Sequence, residues 1–163
     1  MIEIGIKTIG FFIAVFSFSM LINSPKKYLI WAGISGAAAG FIYMICMEAG
    51  WNAVISSFWS ALAAGLISHI FARALTAPVT IFLIGGILPT VPGNGIYQIM
   101  NYVLQNDRSM ASFYLTQTLE IAGAIALAIF LMDTLFKVVR KGEWKQDSLR
   151  YIQKEERKEE EKW

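Results

Sequence analysis

The chain has 163 residues, 56% of them hydrophobic, with a mean hydropathy of +0.52 and a formal net charge of +2. The length suggests a single domain, and the charge is segregated: ten charged side chains fall in residues 1–136 and sixteen in 137–163. This excludes an ordinary soluble domain and points to an all-α integral membrane protein with a polar tail. The lone cysteine, Cys46, excludes an internal disulfide or a cysteine metal cluster. It reads as a small buried packing residue.

A membrane-spanning helix needs about 20 apolar residues. The first span is Ile4–Ile22, with Lys7 close enough to one end to snorkel. Its N-terminal side has little positive charge, and no small-residue cleavage site follows, so it reads as a retained helix, not a signal peptide. Asn23-Ser24-Pro25-Lys26-Lys27 is a polar turn. Leu29–Met47 is the second span, closed by Glu48-Ala49-Gly50 and an interfacial Trp51. The third is about Asn52–Phe71, followed by Arg73.

Ala74–Asn106 is a run of thirty-three residues with no charged side chain. Its fourth span starts at Pro78, a favourable first-turn residue, and reaches about Leu88. There it meets Leu88-Pro89-Thr90-Val91-Pro92-Gly93-Asn94-Gly95. Pro89 and Pro92 each remove a backbone donor, and Gly93 and Gly95 permit dihedrals that other residues avoid. Pro78–Leu88 covers only about half of a ~30 Å hydrocarbon core. The expectation is a half-helix, a break, and a short helix over Ile96–Gln105. Unpaired backbone is tolerated at membrane depth only when buried in protein or facing a water-filled cavity, and in transporters such breaks often meet the solute. The fifth span is about Ala111–Val138.

Five spans give a membrane domain of 1–139 and a charged tail of 140–163. Basic residues in short loops set orientation. Lys26, Lys27, Arg73 and the tail share one side, while Lys7 and Arg108 lie on the other. The N-terminus is therefore expected outside and the tail in the cytoplasm, with the break in the outer half of the membrane. The tail, rich in lysine–glutamate pairs, reads as a solvated helical or frayed end.

Spans two and three carry small residues at four-residue spacing: Ala32, Gly36 and Gly40, then Ser57, Ala61 and Gly65. Such faces let helices approach closely, so these two helices are expected to cross at short range. Intramembrane ionisable residues are costly. Glu120 is the deepest carboxylate, either a proton-coupling or solute contact or a carboxyl paired with another polar group. Thr116 and Gln117 are candidates to share its face. His69 reads as an interfacial hydrogen-bonding residue and Arg73 as a topology anchor. Asp133 is one turn from Lys137 and is expected to pair with it. No catalytic constellation, nucleotide motif, metal-ligand set or cofactor motif appears. Neither an enzymatic activity nor a nucleic-acid partner is expected.

The run Ala77-Pro78…Ile87-Leu88-Pro89-Thr90-Val91-Pro92-Gly93-Asn94-Gly95-Ile96-Tyr97…Met100 resembles the threonine/serine exporter family, in particular its smaller, C-terminal-type half. The lysine-bearing turn, the Gly/Ala-rich second span and Ala72-Arg73 agree with it, and the resemblance covers about residues 5–136. It implies export of small amino acids or related small carboxylates such as succinate, at the cell membrane. It also implies a larger companion half, so the chain reads as one subunit of a split exporter. On that reading Pro89, Pro92, Gly93, Asn94, Gly95, Tyr97 and Glu120 form the solute pathway, and Gly85 and Gly86 let the fourth helix flex. The alternatives are a non-transporting scaffold or regulatory subunit, or a small homo-oligomeric channel.

Overall fold

A computed structural model describes residues 2–160, with side-chain surroundings for 3–139. Six α-helices follow one another: α1 (Ile2–Leu21), α2 (Leu29–Glu48), α3 (Ala53–Ala74), α4 (Val79–Ile87), α5 (Gly93–Leu104) and α6 (Arg108–Glu160). Four are long and apolar enough to cross a bilayer, and α4 and α5, bent by 48° at their junction, together make a fifth candidate span. The fold is an all-α membrane bundle. The backbone of α6 runs on through the tail to Glu160, and the tail side chains lie outside the described residues.

Four helices end in the same way. Ser24 N–H reaches Ser19 O, Trp51 reaches Cys46 O, Ala77 reaches Ala72 O, and Asp107 reaches Tyr102 O. Each six-residue closure has its preceding residue at positive φ: Asn23 at 55°, Gly50 at 84°, Thr76 at 50° and Asn106 at 57°. This is the Schellman stop, which satisfies carbonyls that the helix leaves open. Helix starts are capped as well. Asn52 Oδ1 accepts from Ile55 N–H at 2.9 Å, and Asp107 Oδ1 accepts from Met110 N–H at 3.1 Å. The latter explains why α6 begins at Arg108, three residues before the apolar run.

The helices α2, α3 and α4 form the centre, with α1 packed on α2 and α4, and α6 packed on α3. Their contacts are made by small residues. Phe11, Phe12 and Val15 of α1 press into the gaps at Gly40, Gly33 and Gly36. Ser60 Oγ donates to Ala39 O at 2.6 Å, a buried bond that ties α3 to α2. Gly65 lies against Met132 of α6. At one end Tyr28, Phe71 and Phe82 meet edge to face, Phe82 fully buried.

The short α4 is seated by two glycines. A Cβ on Gly85 would lie 3.0 Å from Val15 Cγ1 and 3.2 Å from Ala32 O. On Gly86 it would lie 2.7 Å from Ser35 Oγ and 2.9 Å from Ala64 Cβ. Nine helical residues are too few to be stable alone, so this crossing of α1, α2, α3 and α4 fixes where α4 sits. The pair was expected to be a hinge; in this structure both positions are close-contact points.

The Gly86→Ala variant is expected to lower stability in detergent by about 1–3 kcal/mol through overpacking. Gly10, with no atom near its missing Cβ, is the control: Gly10→Ala should be neutral or slightly stabilising, since alanine favours helix. Thermal unfolding of both variants measures the difference.

Candidate functional site

The break after α4 follows from its two prolines. Pro89 lacks the N–H that would have bonded Gly85 O, and Pro92 the one that would have bonded Leu88 O. In their place Leu88 N–H takes Gly85 O, and Val91 N–H takes Leu88 O at 3.4 Å. The result is one 3-10 turn, Leu88–Thr90, in which Thr90 Oγ1 also donates to Ile87 O at 2.8 Å. Pro92 then precedes the first residue of α5.

This differs from the sequence expectation in one respect. The glycines are not the break. Gly93, Asn94 and Gly95 form the first turn of α5, which starts three residues earlier than expected. Among the described residues Gly50 is the sole glycine at positive φ. Gly95 serves close approach instead: a Cβ there would collide with Thr118 Oγ1 of α6.

A cavity of about 300 Å³ lies beside this turn. Its walls are the break and the start of α5 (Pro89–Gly95), Tyr43 of α2, Ala53 and Ser57 of α3, and Tyr114, Gln117, Thr118 and Ile121 of α6. Two features give it chemistry. First, α5 opens onto it with its N-terminus. Gly93 N–H is bonded to Val91 O, but the next two N–H groups, of Asn94 and Gly95, have no acceptor among the described residues. Such free donors at the positive end of a helix suit an anion. Second, Thr118 Oγ1 is buried and has no hydrogen-bond partner. An unpaired buried hydroxyl is unfavourable by roughly 1–3 kcal/mol, a penalty that a polar occupant removes. Among the described residues, no acidic side chain lines the cavity.

Of the pathway residues named from the sequence, Pro89, Pro92, Gly93, Asn94 and Gly95 are brought together here. Tyr97 and Glu120 are not. Tyr97 is 66% exposed on the outer face of α5. Glu120 is exposed on α6, two residues and therefore about 200° of helix from Thr118. Gln117 faces the cavity, whereas Thr116 is exposed on the Glu120 side. Ser57 belongs to the small-residue face of span three, whereas nothing in the sequence singles out Tyr43, Tyr114 or Thr118. Tyr114, Thr118 and Ile121 follow three- and four-residue spacing, but sequence alone does not say which face of α6 meets α5.

A second cavity, about 310 Å³, lies at the opposite end of the α3–α6 pair. Asp133 accepts from Lys137 Nζ at 3.1 Å, the expected one-turn pair, and also from His69 Nε2 at 3.2 Å. The His69 ring stacks on Phe136 at 4.2 Å, and Arg73 lies over the same ring at 5.8 Å. Between the two cavities, Ala61, Phe58 and Leu62 of α3 close on Ile121, Ile125, Ala128 and Ile129 of α6, leaving an apolar seam.

The seam, the broken span and the cavity beside it fall within one region of family likeness. The family model described as threonine/serine exporter, ThrE, matches residues 7–135. No solved structure matches the chain. The match reaches into all five candidate spans and takes in most of the membrane domain: the chain belongs to the threonine/serine exporter family.

Proposed function

We propose that this chain is the smaller subunit of a split secondary exporter, working with a larger companion chain to move a small amino acid or related carboxylate across the cell membrane. Family membership supports the transport class. The observation that carries the reading of the site is the pair of free N–H groups, of Asn94 and Gly95, at the mouth of the α5 helix. Broken spans in transporters use such half-helix ends to hold a solute carboxylate. In this reading the two N–H groups and the Asn94 side chain receive the carboxylate. Thr118 Oγ1 and Gln117 bond the rest of the solute. With no acidic side chain among the described lining residues, an ammonium group would meet only hydroxyl and carbonyl oxygens there, so the carboxylate is the main handle.

The same geometry suggests a route. The two cavities lie in line along the α3–α6 pair, with the apolar seam between them closed. Passage then requires α3 and α6 to part at Ala61 and Ala128, small residues that leave little to disengage. The basic side chains Lys26, Lys27, Arg73 and Lys137 gather at the end away from the break. We assign that end to the cytoplasm, with the N-terminus outside.

Efflux of labelled threonine, serine and succinate from cells containing the companion chain tests the site. Thr118→Val and Asn94→Ala should each reduce efflux by roughly tenfold, the effect of losing about 1.4 kcal/mol of hydrogen bonding. Thr118→Val should leave thermal stability unchanged or raised, because the hydroxyl is unpartnered without solute. Unaltered efflux of all three solutes in both variants rules the site out.

Orientation has its own check, with Cys46 replaced by serine. An impermeant thiol reagent on intact cells should label cysteines placed at Glu48 and Gln105 and spare one placed at Lys26. The reverse pattern inverts the topology.

A further inference from the structure

Among the described residues, the Glu120 side chain has no partner. Arg108 and Lys137 bound the apolar stretch of α6, twelve residues before Glu120 and seventeen after it. At 1.5 Å per residue these separations are about 18 and 26 Å, so the carboxyl lies near mid-membrane. It is exposed, and among the described residues it makes no hydrogen bond or ion pair. Neither cavity includes it. Lipid offers nothing to a carboxyl at this depth, where an acidic side chain is unfavourable by about 2.5–3.5 kcal/mol.

Its surroundings on α6 are those of a helix-docking face. Thr116 is one turn before it, exposed, with its hydroxyl donating to Ser112 O at 3.0 Å. Gly123 is one turn after it, also exposed, and a Cβ there would have no neighbour within 4 Å. A polar group flanked by small residues lets a second helix approach closely and hydrogen-bond across the contact. The α3- and α5-facing residues of α6 (Tyr114, Thr118, Ile121 and Ile125) lie on the other side of the helix, so the Glu120 face is available without disturbing the bundle.

We infer that this face docks a transmembrane helix of a different chain, one that presents a basic or amide donor to Glu120. Charge complementarity selects that occupant. Within the described residues, the basic side chains of this chain stand toward the ends of the membrane-spanning stretches: Lys7, Lys26, Lys27, Arg73, Arg108 and Lys137. A second copy docked with Glu120 at a two-fold axis would set the two carboxyls against each other. The inference deepens the proposal of a two-chain exporter by naming where the companion sits. It also gives Glu120 a role other than direct contact with solute in the cavity.

The test uses the full chain in its native membrane. A photo-crosslinking side chain replaces Thr116 or Gly123, and Ile13, 58% exposed on α1, is the control. The expected result is an adduct from positions 116 and 123, and none from 13, to another membrane-spanning chain. Mass spectrometry should place a lysine, arginine, histidine, asparagine or glutamine in the crosslinked segment of that chain. Glu120→Leu should lower the yield at least tenfold, whereas Glu120→Gln, which still bonds a donor, should retain a substantial part. Adducts to lipid alone, adducts to a second copy of this chain, or yields indifferent to Glu120→Leu with normal membrane abundance each overturn the inference. Crosslinking reads docking and not transport. Intact crosslinks with unaltered efflux in the cavity variants would therefore sink the solute site and leave the docking face standing.

Discussion

The contact on which the structure depends is the close crossing at Gly85 and Gly86. Val15, Ala32, Ser35 and Ala64 from three helices all approach within a space that no Cβ would fit without displacement. Lipid supplies no hydrophobic drive between helices, so close packing of small surfaces must hold a membrane bundle together. This crossing sets α4 deep in the bundle and so decides the depth at which its helical ladder stops. The two prolines then deny the next N–H donors, the chain tightens into a 3-10 turn, and α5 begins at a fixed place beside α6. The cavity is what remains between the turn, α3 and α6.

From there the chemistry follows from what is left unpaired. A helix that starts after a proline presents free N–H groups, and here the residues that carry them line a small cavity. Thr118 adds a hydroxyl with no partner. Both features are unfavourable in an empty bundle and favourable around a carboxylate, which is how a solute site differs from a packing defect. At the opposite end, Asp133 is already satisfied by His69 and Lys137. That pair ties α3 to α6 where the bundle meets the basic end, and the apolar seam separates it from the first cavity.

Much of this was legible in the sequence. The spans follow from apolar length. Helix ends follow from Asn23, Gly50 and Asn106, and the break from Pro89 and Pro92. What could not be read was helix phase. Thr118 and Glu120 are two residues apart, yet one lines a cavity and the other points away from the bundle, because the choice depends on which face of α6 meets α3 and α5. The glycines of the break misled for a related reason. Gly95 is small because Thr118 of another helix presses on it, a contact invisible along the chain, and not because it needs an unusual dihedral. The His69–Asp133 bond likewise joins residues far apart in sequence, so only the one-turn partner Lys137 could be foreseen.

The central claim is that the mouth of α5 receives a solute carboxylate. The most direct measurement is solute protection of a thiol placed there. With Cys46 replaced by serine and the companion chain present, the rate at which a small maleimide labels Asn94→Cys is followed with and without saturating solute. The account predicts slower labelling with threonine, serine or succinate and little change with their amide analogues, which lack the carboxylate. A rate unaffected by any of the acids, or slowed equally by the amides, would contradict it.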